Sequence, residues 1–285
     1  MKNKIEKGDN YSINPGKEVK VTKYAVSGDI KITDSAYLPH NINPTRKLNK
    51  YEYIDIRTGE IKKYKEATEE NKIINLRKKY KRVLEMILNN FDGSNNELFI
   101  TLTVKDNISI KELKKQFAKF RRKLYRLIPD IMYICVFEKA SKWHAHLLVK
   151  DNTKKSLYIE NSKLEELWEI GFVKANHITK KSIYEFNEDR IKRISNYFIK
   201  PNSKQDIPIN ESFYSKSKNI KMPKNYKTLY GNIRPVLNED YFRNQESTYL
   251  IKYENDVILN KIKTENWKQK KNKKWLLLLF IKKKS

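Results

Sequence analysis

Residues 131–149 read IMYICVFEKASKWHAHLLV and consist of two apolar runs joined by a short polar segment. Aliphatic, β-branched and aromatic residues dominate both runs, which is typical of strands in a buried sheet. Placing residue 138 opposite residue 144 leaves residues 140–142 as the connection, a length that β-hairpins use. The stretch therefore predicts an antiparallel hairpin with a defined register.

Two histidines, His144 and His146, lie one residue apart in the second run. Alternate side chains of a strand share a face, and the same register adds Glu138 to that face because directly opposed residues point the same way. Two imidazoles and one carboxylate suit magnesium-like, manganese, iron or zinc ions. The sequence thus offers a candidate metal site; the alternative is a solvent-facing histidine pair beside a salt-bridged glutamate. The remaining residues of this run are expected to be buried on the other face: Trp143, Ala145, Leu147 and Val149.

Helical and strand patterns flank the hairpin. We expect helices at 71–91, 111–127, 162–170 and 187–200, and further strands at 97–104 and 171–178. Helix 111–127 has apolar residues at helical spacing, with basic residues opposite; the apolar residues are Leu113, Phe117, Phe120, Leu124 and Leu127. Helices inserted between strands of an antiparallel or mixed sheet indicate an α+β fold of ferredoxin-like or RRM-like character. We expect this domain at 71–205, between an N-terminal accessory arm or hairpin region (1–70) and a basic C-terminal extension (206–285).

The net charge of +27 points to a polyanionic partner. Nucleic acid and an anionic membrane surface both fit such a charge. Basic residues on helix 111–127 and after residue 201 are expected to contact phosphates; they are Lys114, Arg121, Arg122, Lys123 and Lys204. The seven glycines never form the GxxxxGK[ST] phosphate loop, which argues against an NTP-driven motor.

Cys135 is the only cysteine, so an intramolecular disulfide is excluded. It alternates with Tyr133 and Phe137 and is expected to be buried. The first residues lack the apolar stretch of a signal peptide. The apolar run 275–281 is far shorter than the roughly 20 residues of a spanning helix. We therefore expect a cytoplasmic protein without a stable membrane span.

A second candidate pair lies in ISNYFIKP, where Tyr197 and Lys200 are neighbours on one helix face. A phenol attacks a phosphate only with help from nearby positive charge, because its ordinary pKa is about 10. Lys200 is positioned to supply that charge. The alternative is a tyrosine at the rim of the core and a solvated lysine at the helix end.

In order along the chain, these segments resemble the HUH endonuclease superfamily. They are most similar to replication-associated proteins of the filamentous-phage gene-II type, which initiate rolling-circle replication. The similar segments are ILNNFDGSNNELFITLTV, LKKQFAKFRRKLYRL, YICVFEKASKWHAHLLV, LEELWEIGFVKANHI and NYFIKPNSK. The family usually carries a bulky apolar residue where this chain has Ala145, and Pro201 occupies the position of a second tyrosine, which leaves Tyr197 as the motif's candidate nucleophile.

The resemblance implies an HUH endonuclease core and a single-strand DNA endonuclease and strand transferase of a plasmid or phage. Its metal ligands would be His144, His146 and Glu138, and its cofactor a divalent ion, Mg²⁺ or Mn²⁺. Tyr197 would form a 5′-phosphotyrosine beside the motif lysine, Lys200. A supporting strand would carry Thr101 and Thr103. The implied partners are single-stranded DNA at a replication origin, a host helicase and a host polymerase, with a dimer as the assembly in which a second protomer supplies another nucleophile.

Other functions share some of these features. A mobilisation relaxase or a single-strand transposase would use the same chemistry. A two-histidine-one-carboxylate iron oxygenase would use the same ligands, although it explains neither the positive charge nor the tyrosine–lysine pair. A non-catalytic nucleic-acid-binding module would bind DNA without responding to metal.

Overall fold

The computed structural model of the chain describes residues 4–35, 45–49, 51–56, 58–64, 69–177, 212–252 and 258–270. The chain divides into two compact units. The central unit combines Ala25–Ser27 with Leu76–Pro223, and the terminal unit combines Met1–Tyr24, Gly28–Asn75 and Lys224–Ser285. Both contain antiparallel sheets and at least one helix, so the predicted α+β class is confirmed.

The described helices are α1 (Glu69–Asn90), α2 (Ile110–Leu127), α3 (Asn161–Trp168) and α4 (Tyr230–Asp240). The described strands of the first sixty-four residues are β1 (Lys4–Lys7), β2 (Glu18–Lys23), β3 (Ile30–Ser35), β4 (Thr45–Lys47), β5 (Glu52–Asp55) and β6 (Ile61–Lys63). Those that follow are β7 (Glu97–Val104), β8 (Met132–Lys139), β9 (Trp143–Lys150), β10 (Gly171–His177), β11 (Tyr214–Lys216), β12 (Lys224–Leu229), β13 (Tyr241–Lys252) and β14 (Ile258–Gln269).

The central unit contains a five-stranded antiparallel sheet in the order β10-β7-β9-β8-β11. The predicted hairpin is β8–β9, with Glu138 opposite His144 and Lys139 opposite Trp143, so residues 140–142 form the loop. Both the pairing and its register are confirmed. The expected strands 97–104 and 171–178 correspond to β7 and β10.

One face of this sheet, the covered face, packs against α2 and α3 in a continuous apolar cluster. Its strand residues include the four residues predicted to be buried in β9: Trp143, Ala145, Leu147 and Val149. Helix α2 begins after Ser109, whose hydroxyl accepts a hydrogen bond from the Glu112 amide at 3.2 Å. Four of its five predicted stripe residues are buried, but Leu127 is 43% exposed. The helix ends at Leu127, and Ile128 fills the core position in its place.

The terminal unit joins both ends of the chain in one sheet. Its six antiparallel strands follow the order β1-β13-β14-β3-β2-β12, with α4 packed on them, and β4-β5-β6 form a separate small sheet. The expected division into 1–70, 71–205 and 206–285 separated β3 from β14, whereas the structure pairs them. Residue 214, expected in the C-terminal extension, instead begins the edge strand β11 of the central sheet.

Cys135 is buried, as expected, and burial raises the pKa of its thiol. No helix in the described ranges is both long and apolar enough to cross a membrane. The apolar run 275–281 and the expected helix 187–200 lie outside the described residues.

Candidate active site on the five-stranded sheet

The second face of the central sheet, the site face, changes character along its strands. At one end α1 covers an apolar cluster, to which the sheet contributes Met132, Ile134, Val136 and Leu148. Beyond this cluster the side chains of the same face are polar: Thr101, Thr103, Glu138, His144 and His146. Phe99 marks the boundary, since its ring stacks on that of His146 with centroids 5.9 Å apart. The candidate residues therefore lie where the apolar cover ends.

The two histidines are held by neighbouring strands on both sides. His146 is only 4% exposed, and its Nε2 lies 3.2 Å from Oε2 of Glu138 on β8. Its Nδ1 lies 3.2 Å from the Thr101 hydroxyl on β7. His144 is half-buried, with its Nδ1 3.0 Å from the Thr103 hydroxyl. Both threonines thus contact the histidine directly opposite them in the β7–β9 register.

These contacts favour neutral imidazoles with their Nε2 atoms available. A threonine hydroxyl that accepts from Nδ1–H leaves the lone pair on Nε2. Burial, together with the neighbouring His146, lowers the pKa of His144, whereas Glu138 acts in the opposite direction. Metal-binding histidines are neutral, and a hydrogen bond on their other nitrogen fixes their orientation. The threonine strand is therefore suited to holding both rings as ligands.

The donor set agrees in type with a divalent metal ion, and one pair agrees in spacing. Two ligands about 2.1 Å from one ion at right angles are about 3.0 Å apart. The 3.2 Å between His146 Nε2 and Glu138 Oε2 is close to that separation. Across the described ranges, however, no three His, Cys, Asp or Glu side chains lie close enough together to share an ion. The geometry supplies a ligand pair with His144 on the same face, and the metal stays a prediction.

The basic residues predicted on α2 lie on the opposite layer of the unit, because the helix packs on the covered face. Lys114 lies over the Phe137 ring at 5.9 Å, and Arg121 donates to the Tyr133 hydroxyl at 3.1 Å. Lys123 forms an ion pair with Glu169, and Arg122 is half-buried to exposed along the same helix. The structure does not bring these residues together with the histidines. Tyr197, Lys200 and Lys204 lie outside the described residues.

Two residues of the site face were missed in the sequence. Phe172 lies opposite Thr103, and Lys174 lies opposite Thr101, in the pairing of β10 with β7. Both side chains are exposed. The signal was present in GFVKANH, where Val173 and Ala175 alternate with larger or polar residues. An aromatic residue on the polar side of that alternation was the available clue.

Residues 97–202 match the family model of the replication-associated protein ORF2/gene-II protein. This segment includes β7–β10, both histidines, Glu138, Tyr197 and Lys200, whereas Lys204 falls outside it. The match supports a role in replication. No curated protein matches the chain.

Two solved structures are distantly similar. The hypothetical protein ORF119 from Sulfolobus islandicus rod-shaped virus 1 has 23% identity and a TM-score of 0.31, over 46% of this chain and 97% of that protein. The N-terminal nuclease domain of non-structural protein 1 from minute virus of mice, described with Zn²⁺ coordination in its active-site pocket, has 13% identity and a TM-score of 0.17, over 79% of both chains. At these TM-scores neither likeness adds to the assignment.

Proposed function

We propose that this chain initiates rolling-circle replication of a plasmid or phage by nicking and rejoining single-stranded DNA. Tyr197 is the proposed nucleophile, and a divalent ion, Mg²⁺ or Mn²⁺, is the proposed cofactor. The observation that carries the proposal is the register that places Glu138, His144 and His146 on one face, with a threonine behind each imidazole. The family match over residues 97–202 supports it.

The proposed metal ligands are His144, His146 and Glu138. A bound divalent ion supplies Lewis-acid polarisation of the scissile phosphate and stabilises its developing charge. Thr101 and Thr103 are positioning residues, since they contact the Nδ1 atoms of the two rings and restrict ring rotation. Burial of His146 behind Phe99 restricts water on one side of the pair.

The covalent step is a displacement at phosphorus. The Tyr197 phenol loses its proton and attacks in line, the new bond joins its oxygen to the 5′-phosphate, and the bond to the 3′-oxygen breaks. That oxygen takes up a proton and becomes a free 3′-hydroxyl, which a polymerase can extend. Lys200 is proposed to stabilise the phenolate. Since the phosphodiester is conserved as a phosphotyrosine, rejoining needs no nucleotide hydrolysis, in agreement with the missing phosphate loop.

The proposed partners are single-stranded origin DNA and, in the cell, a host helicase and polymerase, with cytoplasmic location and a dimer that provides a second tyrosine. Phosphate contacts are proposed for DNA that continues beyond the site, through Lys114, Arg121, Arg122, Lys123 and Lys204. A relaxase or transposase would share the chemistry, but the family match favours replication.

Covalent adduct formation tests the proposal. The full chain is incubated with Mn²⁺ or Mg²⁺ and overlapping labelled single strands that tile the DNA molecule encoding it, and denaturing gels then detect protein–DNA adducts. We expect an adduct from wild type that is absent in Tyr197→Phe and with a chelator. Tyr158→Phe is the matched control, because this tyrosine is exposed and borders the covered face.

Each outcome identifies a different failure. If wild type forms no adduct on any strand, the chain is not a nickase of this kind. An adduct that persists in Tyr197→Phe would assign the nucleophile elsewhere. We expect His144→Ala to abolish the adduct while DNA affinity changes little; an equally large loss of affinity would favour a non-catalytic binding module.

A further inference from the structure

Phe172 is an exposed aromatic side chain on the site face. It is 65% exposed, whereas the next residue, Val173, is buried in the cluster of the covered face. Single exposed apolar residues are common and usually need no explanation. The position of this ring beside the candidate site is what distinguishes it.

The sheet register connects Phe172 to the histidines. Phe172 lies opposite Thr103, and Thr103 lies opposite His144, so the three form one row on the site face. Neighbouring strands are about 4.8 Å apart, which puts the Phe172 and His144 backbones about 10 Å apart. Stacked nucleotides repeat at about 3.4 Å along a strand, so this distance corresponds to about three nucleotides.

The backbone beside Phe172 is fixed by two contacts to Thr103. Trp168 Nε1 donates to the Thr103 carbonyl oxygen at 3.0 Å. Gly171 approaches the same oxygen so closely that an added Cβ would lie only 1.9 Å from it. The strand that carries Phe172 is therefore held firmly against the strand that positions the histidines, which pre-orders the ring.

The neighbours of Phe172 identify its partner. Lys174, two residues on, shares the site face and is exposed, as is Asn176. One ring among a lysine, an asparagine and threonines is too small an apolar patch for a protein interface. A ring beside a cation fits one nucleotide of a single strand, whose base stacks on an aromatic face and whose phosphate meets a lysine.

We propose that Phe172 stacks on an unpaired base of the DNA strand bound at the His144–His146 row, and that Lys174 contacts a phosphate of that strand. This inference rests on the proposed function. Stacking tolerates any base, so Phe172 contributes affinity and positioning rather than sequence selectivity.

Binding is tested apart from chemistry in full-length protein carrying Tyr197→Phe. Its affinity is measured for oligo(dT) and for an oligomer of the same length that lacks bases. Base–aromatic stacking predicts that Phe172→Leu weakens oligo(dT) binding about 5- to 150-fold while binding of the base-free oligomer is unchanged. Phe172→Tyr should bind like the parent. Tyr158→Leu, which removes a 73% exposed ring that borders the covered face, is the matched control and should change neither affinity.

Lys174→Gln is expected to lower the slope of log affinity against log salt by about 0.7 on both oligomers, as loss of one phosphate contact does. Equal weakening of both oligomers by Phe172→Leu, or no weakening, would overturn the stacking assignment. A change of oligomeric state in Phe172→Leu would assign the ring to self-association instead. If wild type forms the covalent adduct but Phe172→Leu binds oligo(dT) normally, only this inference fails; a wild type without adduct on any strand fails the proposed function itself.

Discussion

The two faces of the central sheet are built from alternate residues of the same strands, yet they differ in continuity. The covered face is apolar from Leu98 to Trp143 and is closed by two helices. The site face is apolar only where α1 covers it and becomes polar toward Glu138 and His144. The period of two residues thus separates stability from chemistry within each strand. Adjacent residues should respond to substitution in opposite ways.

Phe137→Ala should have the largest effect. Phe137 is 1% exposed on the covered face and meets the Phe117 ring edge-on at 5.5 Å. Removing a buried aromatic ring costs about 3–5 kcal/mol. We expect the free energy of unfolding, measured in urea, to fall by this amount. His144→Ala, on the opposite strand and the site face, should lose under about 1 kcal/mol because its side chain is half-buried. Equal losses in the two variants would mean that the faces do not differ in this way.

The α1-covered end of the site face predicts a pH dependence. Burial raises the pKa of Glu97 to about 7, although Lys150, 2.9 Å away, acts in the opposite direction. The unfolded carboxyl ionises near 4.5, so its contribution to stability is present below that pH and is lost as the pH rises through about 7. We expect a loss on the order of 3 kcal/mol across this window.

Urea unfolding between pH 4.5 and 7.5 measures this loss. Glu97→Gln should flatten the pH dependence relative to wild type, since the amide does not titrate. His144→Ala provides the comparison at the other end of the same face and should retain the wild-type slope over the Glu97 window. A Glu97→Gln variant with the full slope would assign the pH dependence to another group.

The sequence predicted the central unit well because its determinants are local. Alternation in the strands and the length of the loop 140–142 were sufficient to place Glu138 opposite His144. The terminal unit was not predicted, because β14 pairs with β3 across more than two hundred residues. Strand β13, YFRNQESTYLIK, is mostly exposed and shows no apolar alternation from which a strand could have been predicted.

The candidate site was predicted in part for the same reason. The shared face of His144, His146 and Glu138 follows from register alone. The contacts of the threonines with the ring nitrogens require the pairing of β7 with β9, which separate segments of the chain provide. The basic face of α2 was recognised, but which face of the sheet the helix covers is not encoded in its own periodicity.

Thr103→Val separates positioning from packing on the site face. The substitution keeps the shape but removes the hydroxyl 3.0 Å from His144 Nδ1. Loss of such a supporting contact typically costs 10- to 100-fold in metal affinity or activity. We expect the rate of adduct formation to fall about 10- to 100-fold and to be partly restored in Thr103→Ser, with little change in stability.

The matched control is Thr33→Val, at a half-buried strand threonine of the terminal unit. It should leave the adduct rate at the wild-type value. If Thr103→Ser is as slow as Thr103→Val, the hydroxyl is not the group that matters, and the threonine has a packing role only.

The smallest effect is expected on the opposite layer, at Arg122 of α2. Because α2 packs on the covered face, Arg122 can meet only DNA that continues around the sheet from the histidine row. Arg122→Gln should therefore lower the salt slope by about 0.7 on a long single strand and leave it unchanged on the shortest strand that saturates the protein. Lys174→Gln, on the site face, should lower it on both. Equal slopes for Arg122→Gln on short and long strands would show that α2, rather than the site face, bounds the path of the DNA.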